Sequence, residues 1–343
     1  MAPTERPLSR PTIAFAMGDP AGISPELGAK LLALGEVRSA AHVVIYGDRR
    51  IMDLGAEIAG VELDYDVVSS DSDLPLAPER PVFVDLASLG PGDVTPATAT
   101  IEGGRFATDN FRRALRLAES GRADAVFFTP FNKKAMRLAY PGYDDEVRFI
   151  NDVLGRAVSA GEFNILGDLW NARVTSHIPL SQVPGAITEA AILRSLRLTH
   201  DAMTAAGFAR PRIAVAALNP HAGDGGNFGR EEIDLIEPAV QKGSTEGIAV
   251  DGPFPSDTVF LRAKGGQYDA VLTMYHDQGQ IAMKLMGFER GVTMLGGYPF
   301  PICTPAHGTA YDIAGRGIAN PGAAREAFLL AARAASRRIS IAA

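Results

Sequence analysis

A single cysteine, Cys303, in 343 residues excludes an internal disulfide framework and a zinc site built from thiolates alone. That economy suits a reducing compartment, and it leaves His, Asp and Glu as the ligands for any metal. No window approaches the roughly 18 consecutive apolar residues of a membrane span. The opening MAPTERPLSR lacks the apolar run of a signal peptide. A soluble cytoplasmic protein is the expectation. Positive charge is scarce too: 33 Lys and Arg against 40 Asp and Glu give a net charge of −7, without the positive field a nucleic-acid binder uses. Neither nucleic acid nor membrane is expected as a partner, which leaves a small molecule or a second copy of the chain. Internal repeats, a Ser/Gly tether, the dinucleotide fingerprint GxGxxG and the Walker P-loop are also missing.

What is present is 46% hydrophobic sequence with 36 Gly and 23 Pro, enough for one large α/β unit or two domains. Short β-branched runs predict strands at 11–17, 42–47, 81–86, 124–129, 163–167, 172–177, 212–219 and 269–275. Several are apolar without alternation, as in strands covered on both faces. Helical periodicity falls between and after them, at 25–35, 107–120, 188–207, 230–243 and 321–338. The alternation predicts an α/β protein with a largely parallel sheet.

Of the six histidines, His177, His221 and His276 end apolar strands, where ligands gather in open α/β sheets. Spacings of 44 and 55 residues form no local metal motif, and a histidine at a strand end is often a structural hydrogen-bonding residue. Three at equivalent places, with Asp277 and Asp224 nearby, would suit Zn²⁺, Co²⁺, Mn²⁺ or Mg²⁺ with positions left for substrate oxygens. GDPAGISPE (18–26) and HAGDGGNFGREE (221–232) could hold an anion at a helix N-terminus or simply make tight turns. HGTAYDIAGRGIANPGA (307–323) combines His, small residues, an acid and further glycines in one loop.

These segments, together with TPFNKKA, VTSHIPL, LNPHAGDGGNFGREE, GPFPSDTVF and MYHDQGQIAMKLMGF, occur in the order seen in the 4-hydroxythreonine-4-phosphate dehydrogenase family, which this chain resembles from about residue 11 to 335. The resemblance implies an isocitrate/isopropylmalate dehydrogenase-like fold of two α/β/α lobes with a cleft. The cofactor-side lobe would span 1–128 and 283–343, and the metal, substrate and dimerisation lobe 129–282. It implies that His177, His221 and His276 ligate one divalent metal at a site shared between the subunits of a homodimer. Asp257, Asp277 and Lys284 would be the catalytic residues, Lys284 also touching substrate. His307, Gly308, Thr309, Ala310, Asp312 and Asn320 would contact NAD or NADP. The implied reaction is oxidation of a hydroxy acid followed by loss of CO₂ from the β-keto acid. Which of Asp257, Asp277 and Lys284 takes the hydroxyl proton stays open.

The chain departs from the biosynthetic members where those hold the substrate phosphate. Their Gly-His-Thr reads Gly142-Tyr143-Asp144, their Asn is Thr293, and their Arg falls at or next to Ile302. Phosphate dianions are held chiefly by charge-assisted bonds, often bidentate from arginine. The expected substrate is therefore not phosphohydroxythreonine. The chain is also similar to a branch acting on an unphosphorylated terephthalate dihydrodiol, and Tyr143, Asp144, Thr293 and Arg148 are its candidate substrate residues, Arg148 or Arg230 pairing with a distal carboxylate. 4-Hydroxythreonine-4-phosphate, 4-phosphothreonate and 4-phosphoerythronate are the alternative substrates, and a non-catalytic metabolite-binding homologue is the alternative class.

Overall fold

The computed structural model describes residues 10–75, 77–156 and 160–342. Residues 1–9, on which the reading of the N-terminus rests, lie outside that set. Among the described residues, no helix is long and apolar enough to cross a membrane.

In chain order the strands are β1 (Thr12–Ala16), β2 (His42–Gly47), β3 (Asp66–Val68), β4 (Val82–Asp85), β5 (Ala125–Phe128) and β6 (Gly161–Leu166). They continue with β7 (Leu169–Arg173), β8 (Arg212–Ala216), β9 (Ala249–Phe254), β10 (Ala270–Thr273), β11 (Val292–Gly296) and β12 (Ile302–Pro305). The helices are α1 (Ser24–Ala33), α2 (Gly35–Ala40), α3 (Arg49–Ala59), α4 (Ile101–Glu119), α5 (Lys133–Ala139) and α6 (Glu146–Leu154). After these come α7 (Val183–Ala186), α8 (Glu189–Ala206), α9 (Glu237–Thr245), α10 (Ser256–Lys264), α11 (His276–Gly287) and α12 (Gly322–Ala342).

The chain divides into two compact units, Met1–Val158 with Tyr298–Ala343, and Ser159–Gly297. Both crossings come later than the sequence suggested at 128 and 282. The first unit keeps α5 and α6 because the α4 side chain Phe111 stacks on Phe149 at 5.6 Å and meets Phe131 at 5.0 Å. The second keeps α11 and β11 because β11 pairs antiparallel with β6, from Val292↔Ile165 to Gly296↔Gly161.

The first unit orders its strands β3-β4-β2-β1-β5-β12, with parallel pairing throughout. Its continuous apolar strands are buried on both faces: Phe127 of β5 meets Phe15 of β1 at 5.1 Å and Phe328 of α12 at 5.6 Å. Each such ring removed from water contributes about 2–3 kcal/mol.

The second unit runs β11-β6-β7-β10-β8-β9. β7, β10, β8 and β9 are parallel, while β6 and β7 form a hairpin closed by Gly167-Asp168, with Gly167 at φ 60°. A two-residue turn of that kind matches the strand twist. Val259, Phe260 and Ala263 of α10 and Met283 of α11 pack on Ala214 and Val271, which seats both helices against β8 and β10. That packing fixes where the candidate site residues emerge.

Candidate functional site

In the second unit, β7 ends at Arg173, four residues before His177 rather than at it. The chain continues beside β10: the Val174 amide donates to Thr273 O (2.9 Å) and the Thr175 amide to Met274 O (3.1 Å). Two strand ends held in step bring their following histidines together, and the His177 and His276 rings lie 5.6 Å apart. His276 opens α11, with its Nδ1 at 2.7 Å from the Asp277 carboxylate. A carboxylate accepts, so Nδ1 carries the proton and Nε2 keeps its lone pair for a ligand, the orientation metal-binding imidazoles adopt.

His221 arrives by another route. Beyond β8, the Glu232 carboxylate accepts the Leu218 and Asn219 amides at 2.9 and 2.7 Å, and the Asn219 side chain bonds Glu231 and Glu232. The chain then takes five consecutive left-handed residues, His221 through Gly225, with φ between 46° and 78°. His177 is left-handed as well, at φ 51°. Each non-glycine residue held there costs on the order of 1–2 kcal/mol, strain that gathers at functional sites. Among the described residues, no three His, Cys, Asp or Glu side chains of one chain converge closely enough to hold a metal ion. His177 and His276 are brought together, and His221 does not complete a set with them.

Glu232 is buried and was missed by the sequence reading. Replacing it with alanine leaves the Leu218 and Asn219 backbone amides without an acceptor and takes from the Asn219 side chain one of its two carboxylate partners. We expect a loss of roughly 2–4 kcal/mol in a urea unfolding titration, together with a loosened His221 turn. An unchanged midpoint would remove Glu232 from that role.

Gln278 is a second residue the sequence reading passed over. It accepts the Met274 amide (2.6 Å) and donates to Ala217 O (2.7 Å) and Ser256 Oγ (2.8 Å), so one side chain ties together the ends of β10 and β8 and the start of α10. Its place inside YHDQG was the available signal. Gly279 is required by close approach, since a Cβ there would sit 2.1 Å from Asn171 Oδ1. Asp257 is exposed in the first turn of α10, whose N-cap is Pro255. Lys284 lies seven residues after Asp277, on the same exposed face of α11.

Thr293 of β11 is half-buried and accepts a long bond (3.4 Å) from Asn164. Asn164 also receives Arg173 (2.6 Å) and Gln280 (2.5 Å). The Arg173 guanidinium is buried, held by Glu162 (2.8 Å) and by Ser176 (3.0 Å). Arg230 forms an exposed i,i+4 pair with Asp234.

In the first unit, Tyr143 is almost wholly buried. Burial, and then the Glu146 carboxylate, push its phenol far above the ordinary range. Asp144 pairs with Arg148 across an exposed turn. Arg148 is thus paired at the surface. Ile302 is fully buried in β12, opposite Val126.

The 307–320 loop also lies in the first unit. Burial holds the His307 imidazole below its ordinary pKa, while a bond to Gly308 O opposes that shift. Ala310 is left-handed at φ 43°. Thr309 O accepts the Ile23 amide (3.0 Å). Gly308, Asp312, Ile318 and Asn320 are exposed, and Asn320 caps the start of α12 through the Gly322 amide (2.8 Å). An exposed carboxylate to accept from ribose hydroxyls and an apolar side chain for a base, on a loop tied through its backbone, fit a dinucleotide.

The family model for "Pyridoxal phosphate biosynthetic protein PdxA" matches residues 39–331. A Rhizobium meliloti protein provisionally named 4-hydroxythreonine-4-phosphate dehydrogenase 2 is 62% identical over 97% of this chain and 96% of its own length. The solved 4-hydroxythreonine-4-phosphate dehydrogenase of Klebsiella pneumoniae is 33% identical with a TM-score of 0.82, covering 95% of this chain and 99% of that one. A terephthalate 1,2-cis-dihydrodiol dehydrogenase from Burkholderia xenovorans is 29% identical with a TM-score of 0.63, covering 92% and 95%. The fold alone is shared with a β-decarboxylating dehydrogenase of Thermococcus kodakarensis, at 18% identity and a TM-score of 0.50, covering 96% of this chain and 88% of that one.

Proposed function

The chain belongs to the pyridoxal phosphate biosynthetic protein PdxA family, and from that membership we propose a divalent-metal-dependent, NAD(P)-linked dehydrogenase. It oxidises a hydroxyl of a small hydroxy acid and releases CO₂ from the resulting β-keto acid, working as a homodimer. The observation that carries this reading is the His177–His276 pair, with Asp277 fixing the His276 tautomer.

The donor set fits a borderline divalent cation such as Zn²⁺ or Co²⁺. His177 and His276 of one copy and His221 of a second supply three imidazoles. Large apolar side chains stand exposed near two of the histidines: Leu180 (69%) three residues after His177, and Phe228 (52%), whose ring lies 6.1 Å from that of His221. Apolar surface of that size beside polar donors supports a face covered by another copy. When bound, the cation supplies Lewis acidity, lowering the hydroxyl pKa and offsetting negative charge that builds on oxygen. Lys284 supplies a positive charge for a substrate carboxylate. With Asp277 bonded to His276 and Lys284 carrying that charge, Asp257 remains to take the hydroxyl proton. The 307–320 loop holds the dinucleotide that accepts the hydride.

The substrate we propose is an unphosphorylated hydroxy or diol carboxylate. Of the positions that the resemblance assigns to the substrate phosphate, two carry a buried phenol and a buried aliphatic side chain here, Tyr143 and Ile302, and a third carries Thr293, whose hydroxyl accepts from Asn164. The name of the R. meliloti relative favours a second reading, a phosphorylated four-carbon hydroxy acid. NADH formation at 340 nm separates them, with phosphorylated and unphosphorylated acids assayed alongside Zn²⁺, Co²⁺ or Mg²⁺, before and after chelation. Tight metal binding without turnover on any of them would leave a metabolite-binding homologue instead.

A further inference from the structure

The GDPAGISPE segment plays no part in the chemistry described so far. As an anion cradle it is closed off, since Ser24, Pro25 and Glu26 in the first turn of α1 are all buried. Its side chains reach the 307–320 loop instead. Asp19, 1% exposed, uses one oxygen to accept the Ala21 amide (3.0 Å) and the other to accept the Tyr311 hydroxyl (2.5 Å). A Cβ on Gly22 would stand 2.6 Å from Thr309 O, so only glycine lets the two backbones approach this closely.

The far end of the loop is held from one turn further along α1. The buried Glu26 carboxylate accepts the Ala319 amide (2.7 Å) and Lys30 Nζ (2.8 Å), and Lys30 donates onward to Gly317 O (2.9 Å) and Ala319 O (2.8 Å). Both shoulders, Thr309–Tyr311 and Gly317–Ala319, are tied to residues 19–30. The stretch between them leaves Asp312, Gly315 and Arg316 exposed. Burial raises the Asp19 carboxyl above its ordinary pKa, and the Tyr311 bond lowers it in part.

We infer that Asp19, Glu26 and Lys30 are positioning residues that hold the 307–320 loop in its dinucleotide-binding form through Tyr311 and the Gly317–Ala319 backbone. The inference rests on the proposed cofactor role of that loop. A loop anchored at both ends loses little entropy when a ligand docks on its middle, which is how preorganisation adds affinity.

The test uses the full-length chain with Tyr311→Phe and, separately, Lys30→Met. Hydrogen–deuterium exchange of amides 308–319 is measured alongside NADH fluorescence titration and zinc retention. Each variant breaks bonds to a buried carboxylate, so loop exchange should quicken and NADH Kd weaken roughly tenfold, with zinc content unchanged and KM for the dinucleotide rising more than kcat falls. Unchanged loop exchange in both variants overturns the inference. So does faster exchange with unaltered Kd, which would make the ties structural only. If the unaltered protein binds no dinucleotide at all, the cofactor reading itself fails and takes this inference with it.

Discussion

His276→Ala is expected to lower turnover by at least about 10³-fold and to release the divalent cation on dialysis. A catalytic cation stabilises several kcal/mol of developing charge, and about 4 kcal/mol is a thousandfold in rate. His276 and His177 approach each other because residues 174 and 175 run in register with 273 and 274. Removing one imidazole leaves a single ligand on that copy. Asp277→Asn is the milder companion: the carboxylate orients the ring without being a ligand, so metal affinity should fall by roughly 10–100-fold. Metal content by emission spectroscopy and NADH formation would be read on the same preparations. Full activity with retained metal in His276→Ala would remove it from the ligand set.

The second large effect is on substrate choice. An unphosphorylated hydroxy acid should exceed its phosphorylated counterpart in kcat/KM by at least about 10²-fold. Each charge-assisted bond to a phosphate oxygen contributes roughly 1.5–3 kcal/mol, and two such partners are replaced here. Ile302 is packed in β12, so Ile302→Arg made alone would bury a guanidinium among apolar neighbours and cost stability as well as change the site. Thr293→Asn is the informative variant, because Thr293 is only half-buried and already accepts from Asn164. It should narrow the preference. A phosphorylated acid turned over faster than every unphosphorylated one would reverse the specificity proposed here.

The apolar strands and long helices were legible because burial on both faces writes continuous hydrophobic runs; β2 and α8 fall within a residue of their expected bounds. The short strands were not. β3 spans three residues, and β9 and β11 carry Gly or Pro at their ends, so periodicity is too brief to read. α10 and α11 escaped because their apolar faces are interrupted by the residues of the site. The three histidines were found as strand-end residues, yet only two meet within one chain. The third depends on a left-handed turn shaped by Glu232, a contact between positions 218 and 232 that no local pattern records. The boundaries at 158 and 297 were displaced for a similar reason, since aromatic stacking by Phe111 and antiparallel pairing by β11 are long-range.

Subunit complementation measures most directly whether the metal site is assembled from two copies. His221→Ala and His276→Ala, each expected to be inactive alone, are mixed in equal amounts, unfolded together and refolded. In a mixed dimer, one site receives both defects and the other receives neither. Random pairing makes half the dimers mixed, so about a quarter of the unaltered activity should return, with zinc recovered in the same proportion. No recovery, from a mixture shown by mass to contain mixed dimers, would contradict a site shared between subunits.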